Sequence, residues 1–190
     1  MKKINFGCGN KKLDGWVNVD WNPGFNPNVA HDLNKFPYPF EDNSADEIRM
    51  IHTLEHLDRP FDAMRELHRI LKPGGKLLIK LPHASRALTH PEHCHGFDIS
   101  FPLFFNQDNV TLSGYYGFAF DLELMELHWQ ADDQESLRRL GYGKIIRTGV
   151  DILNFIFSFL ANLSQPLCSR LWSYWVGGFE EIELRFICRK

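Results

Sequence analysis

Four kinds of signal are missing from this 190-residue chain, and each absence removes a class of function. Cysteine is scarce: Cys8, Cys94, Cys168 and Cys188 stand far apart with no C-x-x-C pair. That excludes a disulfide scaffold and the usual zinc ribbons, and it fits a reducing compartment. A basic excess is absent too, because 21 Lys and Arg against 24 Asp and Glu leave a net charge of −3. No general electrostatic case for a nucleic-acid partner exists. No run of eighteen uncharged apolar residues occurs, so no transmembrane segment is expected. The opening residues Met1-Lys2-Lys3-Ile4-Asn5 lack the apolar core of a signal peptide, which makes the cytoplasm the expected location. What remains is 44% hydrophobic and 24% charged, the balance of one globular domain over residues 1–190.

The rest of the chain is arranged around Ile4-Asn5-Phe6-Gly7-Cys8-Gly9, a short strand running into a glycine turn. Glycine has no Cβ and tolerates positive φ, so backbone there can pass close to a ligand. Residues 3–7 and 16–20 read as two buried strands, and the link between them has room for one helical turn at most. The second strand closes on Asp20, where a carboxylate can accept two hydrogen bonds from a ribose diol. Residues 22–45 are rich in Pro, Asn, Asp and Ser and read mainly as loop, with a strand end at Ala30-His31-Asp32-Leu33. A strand follows over 46–52. A helix is predicted from Leu54 to Leu71, stopped by Lys72-Pro73-Gly74-Gly75. The next strand is 76–81, then come a histidine-rich loop over 83–96, a helix within 98–113, and strands over 118–129 and 180–188. Alternating strands and helices predict an α/β, doubly wound, mostly parallel sheet, with the last two strands an antiparallel pair at one edge.

Several of these segments resemble the class I S-adenosylmethionine-dependent methyltransferases, and in particular the small type 11 group. The residues that carry the likeness are Asn5-Phe6-Gly7-Cys8-Gly9, Gly15-Trp16-Val17-Asn18-Val19-Asp20, Asp32-Leu33 and Phe40-Glu41-Asp42-Asn43-Ser44-Ala45-Asp46-Glu47-Ile48. His52-Thr53-Leu54-Glu55-His56-Leu57 and Arg69-Ile70-Leu71-Lys72-Pro73-Gly74-Gly75-Lys76-Leu77 complete it. The resemblance implies a seven-stranded Rossmann-like sheet with an antiparallel strand at its edge, and S-adenosylmethionine as cofactor. It implies that Gly7, Cys8 and Gly9 border the methionine and ribose portion and that Asp20 holds the ribose hydroxyls. Asp32 and Leu33 would sit at the adenine edge, with His52 beside the sulfonium; Trp21, read from its position alone, either stacks on the adenine or packs into the core. A nicotinamide-dependent oxidoreductase is the alternative. It would need a third glycine and a helix to receive a pyrophosphate, and its acidic residue lies about 20 positions on. Here Asp20 stands 11 positions past Gly9. A catalytically inactive, cofactor-binding regulatory protein is the second alternative, motivated by the shortened glycine turn.

Methyl transfer is an in-line displacement in which the protein positions a nucleophile, and a hydroxyl nucleophile gains from a general base. Imidazole is the natural one near neutral pH, and the chain holds nine histidines. His52, His56 and His93 are the candidate catalytic residues. His52, Glu55 and His56 spell H-x-x-E-H, a pattern that can hold metal on one helix face. Because His52 closes a strand and Thr53 reads as an N-cap, that face is broken and no metal is expected. The expected acceptor is a small molecule such as a sugar or secondary metabolite, methylated on oxygen.

Residues 134–178 form an apolar helical insertion before the last strand. Ile152, Phe155, Ile156, Phe159, Leu160 and Leu163 repeat at helical spacing with Asn154, Ser158 and Asn162 between, and Leu167, Leu171, Trp172 and Trp175 extend the stripe. Three readings stay open. The helices cap the sheet edge with these residues inward, or 145–176 is a homodimer surface or lid, or it touches a membrane interface. Lysine and arginine are sparse on the polar face, which weighs against the last.

Overall fold

A computed structural model describes residues 1–87, 90–106, 116–130, 137–138, 141–175 and 178–190. Its seven strands are β1 (Lys3–Phe6), β2 (Val17–Asp20), β3 (Val29–Ala30), β4 (Ala45–Ile51), β5 (Leu71–Pro82), β6 (Ala119–His128) and β7 (Glu181–Arg189). They join one sheet in the order β3-β2-β1-β4-β5-β7-β6. The first five run parallel, and β7 is antiparallel to both β5 and β6. The doubly wound, mostly parallel sheet expected from the alternation is therefore present, with β7 one place in from the edge. Fully buried Ile4, Phe6, Ile48, Met50, Leu77 and Ile79 line its centre, as expected of parallel strands covered on both faces.

The helix expected over 54–71 is broken in two. Leu54–His56 makes one 3-10 turn, and α1 covers Pro60–Ile70. Pro60 explains the break, since a residue with no N–H suits the first position of a helix and cannot continue one. Thr53 sits at the cap position, but its hydroxyl donates to Ile51 O at 3.1 Å and caps nothing. In α1, Ala63, Met64, Leu67 and Ile70 are buried. The link from β1 to β2 holds no helix, as its length predicts, and the aromatic-proline segment fills in. Tyr38 is buried against Phe6, with ring centroids 5.3 Å apart, and its hydroxyl donates to Leu33 O at 3.0 Å. Of the helix expected within 98–113, Phe101–Phe104 forms a 3-10 turn, while 107–113 lie outside the described residues.

A short helix α2 (Ala84–Ala87) follows β5, and the insertion supplies α3 (Lys144–Leu163) and α4 (Gln165–Arg170). The insertion does cap the sheet edge, but with its polar side inward. Asn162 accepts from Leu127 N–H at 3.0 Å and donates to Leu127 O at 2.9 Å. Ser158 accepts from Trp129 N–H and Asn154 from Gln130 N–H, both at 3.1 Å. β6 is an edge strand, and these side chains satisfy main-chain groups that an edge leaves open. Only Ala161 of α3 is buried, and the apolar residues of the stripe lie outward.

Candidate active site

The C-terminal ends of β1, β2 and β4 open onto a cleft of about 530 Å³, the position where open α/β sheets receive ligands. Its wall includes Gly7, Gly9, Asp20, Trp21, Asp32, Leu33, His52 and His56. Sequence reasoning missed Asn34, Thr53, Leu57 and Glu92, which line it as well.

The glycine turn and the β2 carboxylate meet directly. Gly9 N–H donates to Asp20 Oδ2 at 2.8 Å, and Asn22 N–H donates to Oδ1 at 3.0 Å. Asp20 is 5% exposed, and each carboxylate oxygen keeps a second lone pair for a ligand hydroxyl. Both glycines have positive φ, +66° at Gly7 and +48° at Gly9. Gly7 has a second reason to be glycine, since a Cβ there would stand 2.0 Å from Thr53 Oγ1. Cys8 is the exception among the expected contacts. Its side chain is buried away from the cleft wall, with burial first and Asp20 second pushing its thiol above the ordinary range. At the other end Asp32 shapes its own turn, accepting from Asn34 N–H at 3.0 Å, and Trp21 stands at the rim, 71% exposed.

His52 leaves β4 at φ +47°, an unusual conformation for a side-chain-bearing residue. The turn aims the imidazole at two carboxylates, with Nε2 3.0 Å from Glu181 Oε2 and Nδ1 3.6 Å from Glu55 Oε1. The Glu181 hydrogen bond, then the nearby Glu55 carboxylate, raise its pKa to about 9. At neutral pH His52 is an imidazolium, a proton donor rather than the general base its position invited. Burial alone would raise Glu181, and the bonds from His52 and Lys80 outweigh it and hold the carboxyl below the usual range. Lys80 joins Glu181 to Glu183 at 3.0 and 2.9 Å. The Glu180-Glu181-Ile182-Glu183 run signals this network in hindsight, because period-2 alternation puts Glu181 and Glu183 on one face of β7.

Glu55 is fully buried, and neither of its carboxylate oxygens has a hydrogen-bond partner. Besides His52, its neighbours are His56 Nε2 and His93 Nε2, each 4.0 Å from Oε1. His93 arrives on the histidine-rich loop, which Cys94 N–H pins to Glu55 O at 2.8 Å. His56 Nδ1 lies 3.0 Å from Glu92 O. A carbonyl only accepts, so Nδ1 carries the proton and Nε2 presents a lone pair. The ligand atoms of Glu55, His56 and His93 lie within 4.8 Å of one another, a set that could hold a divalent cation although the broken H-x-x-E-H face predicts none. The structure thus gathers His52, His56 and His93 around one carboxylate beside the cleft. His83 lies elsewhere, buried between Ser85 and Ser169 at 2.7 and 2.8 Å, and desolvation lowers its pKa to about 4.

The methyltransferase domain family model matches residues 15–79. That span is about a third of the chain, and over it the chain is similar to that family. The matched span runs from the approach to β2 through Asp20, Asp32, His52 and Glu55 to β5, so it carries most of the cleft wall. A ubiquinone/menaquinone biosynthesis C-methyltransferase of Azotobacter vinelandii is 43% identical over 51 residues, 27% of this chain. The chain's match spans about a fifth (19%) of that relative's length. A solved S-adenosylmethionine-dependent methyltransferase from Archaeoglobus fulgidus superposes with a TM-score of 0.60 at 17% identity, covering 98% of this chain and 85% of its own. One from Mesorhizobium loti gives 0.55 at 13% identity, covering 98% and 90%. At these identities the two structures establish a shared methyltransferase fold.

Proposed function

We propose that the chain is an S-adenosylmethionine-dependent methyltransferase acting on a hydroxyl of a small-molecule acceptor. One observation carries the reading. The Gly9–Asp20 corner and the His56 imidazole line the same cleft, so a site for an adenosyl group and a proton acceptor face one ligand volume. The residues fit the cofactor: Gly7 and Gly9 leave room for close backbone approach, and buried Asp20 offers acceptors to a ribose diol. Bound there, S-adenosylmethionine supplies a methyl group on a sulfonium sulfur.

The chain's own residues supply position and proton management. Asp20 fixes the nucleoside end, with Asp32 and Leu33 at its far edge. His52, held cationic by Glu181, keeps that end of β4 rigid and offers N–H groups rather than a lone pair. His56 Nε2, its lone pair freed by the Nδ1 contact to Glu92 O, would take the proton of the acceptor hydroxyl. Glu55 stabilises the imidazolium that forms, and His93 shares the charge. An oxygen acceptor is favoured over carbon because this proton acceptor stands ready at the cleft.

Calorimetry with S-adenosylmethionine and its demethylated product tests the assignment. Asp20→Asn keeps one acceptor oxygen and should weaken both ligands by about 1–3 kcal/mol. Unchanged affinity would remove Asp20 from the ribose site.

A further inference from the structure

Helix α3 sits in this fold with its polar side inward, and that orientation is locked. Asn162 bonds Leu127 of β6, Ser158 and Asn154 bond Trp129 and Gln130 just past its end, and the Gln165 amide bonds Met125 O. Turning the apolar face to the sheet would break every one of these bonds. The outward face therefore carries Phe155 at 73% and Leu163 at 67% exposed. Ile145 on the same helix is 90% exposed, and Trp175, past α4, is 88% exposed. A helix of 20 residues is about 30 Å long, so this is a continuous apolar strip rather than scattered single residues.

Charge selects the occupant. Across the insertion, residues 134–178, five arginines and lysines stand against two acids, Glu135 and Asp151, in a chain whose net charge is −3. Arg138 and Lys144 precede the strip, Arg147 lies in its first turn, and Arg170, 3.8 Å from Asp98, closes α4. We propose that the outward face of α3 and α4 docks on an anionic bilayer surface, with the helix lying in the interface and its flanking cations on lipid phosphates. A second copy fits less well. Antiparallel two-fold pairing turns Lys144 and Arg147 toward the partner's Arg170 end, and parallel pairing sets each cation beside its own counterpart. A spanning orientation, which the length and composition of α3 would permit, would strand Asn154, Ser158 and Asn162 in hydrocarbon or strip them from β6. Trp175 suits the interface, where an aromatic ring with an N–H meets water on one side and chains on the other.

The test is flotation of the full chain with vesicles of phosphatidylcholine alone and of phosphatidylcholine mixed with phosphatidylglycerol. The folded protein should float with the mixed vesicles, with tryptophan emission shifted to the blue. Binding should fall about tenfold or more on phosphatidylcholine alone, since each cation near an anionic surface contributes about fivefold. The triple variant Phe155→Ser, Phe159→Ser, Leu163→Ser should lose binding by more than about tenfold. Its melting temperature should hold, because those side chains touch water in the free protein. Lys144→Glu with Arg147→Glu should weaken binding to the mixed vesicles alone. The proposal is overturned if the folded wild type floats with neither vesicle. It is equally overturned if light scattering shows a dimer that the triple variant splits while vesicles stay unbound, because a second copy then covers the strip.

Discussion

Replacing Gly7 by alanine separates two costs that the structure assigns to different atoms. At φ +66° an alanine carries a left-handed backbone penalty of about 1–2 kcal/mol. Its Cβ would also stand 2.0 Å from Thr53 Oγ1 and 2.5 Å from Cγ2. Thr53 cannot simply swing away, because its hydroxyl is bonded to Ile51 O and its side chain is largely buried. Forced overpacking of this kind costs about 1–3 kcal/mol, which puts the total near 3 kcal/mol and lowers the melting temperature by roughly 10 °C in a domain of this size. Gly9→Ala is the internal control, since its φ is +48° but nothing lies within 4 Å of its Cβ. It should show the backbone penalty alone. Adding Thr53→Ala to Gly7→Ala removes the two closest atoms and leaves Thr53 Cβ at 2.8 Å, so the double variant should recover about 1 kcal/mol relative to additivity. Chemical denaturation of the wild type, Gly7→Ala, Gly9→Ala, Thr53→Ala and the double variant reads all of this. Equal losses at Gly7 and Gly9, or strict additivity in the double variant, would refute the steric account.

His56→Gln and His93→Gln should leave cofactor affinity by calorimetry within about twofold and slow methyl transfer by about a hundredfold or more at His56, the usual worth of a general base. At His93 the loss should be smaller, because it touches Glu55 rather than the cleft wall. Buried His83 and half-exposed His52 act on stability in opposite directions. His83 has a folded pKa of about 4, so its stabilisation is complete above the unfolded value near 6.5 and is lost as pH falls toward 4. His52, raised to about 9, contributes fully below about 6.5 and loses that contribution as pH rises through 9. Its side chain is 44% exposed, so solvent screening cuts the effect to about 1 kcal/mol. Denaturation midpoints across pH should show His83→Gln flattening the acid limb and His52→Gln the alkaline one.

The cleft was legible because its chemistry is local in sequence. Gly7, Gly9 and Asp20 lie within two adjacent strands, and period-2 burial brings their ends together without any long-range knowledge. The Glu55–His56–His93 cluster was half legible: Glu55 and His56 are neighbours, but only the return of the 83–96 loop over the 3-10 turn brings His93 to them. Glu181 was not legible at all. It lies 129 positions past His52, and the pairing of β7 beside β5 is what delivers it. That pairing changes the chemistry assigned to His52, from base to fixed cation, which no count of histidines could show.

The inverted helix exposes a general limit of amphipathic pattern reading. The rule that an apolar stripe faces the core assumes that water covers the other side and that the sheet needs covering by hydrocarbon. At an edge strand the sheet's requirement is different, because each open N–H and C=O left without a partner costs more than an exposed leucine does. Asn154, Ser158 and Asn162 at i, i+4 and i+8 repeat every 6 Å along α3. The outward-facing groups of β6 repeat every two residues, about 6.8 Å. Asn162 and Ser158 meet Leu127 and Trp129, two residues apart, and Asn154 reaches Gln130 just past the strand, so a polar stripe at this spacing can serve an edge. Once that stripe is committed to β6, the apolar residues of the same helix have one direction left, and it is outward.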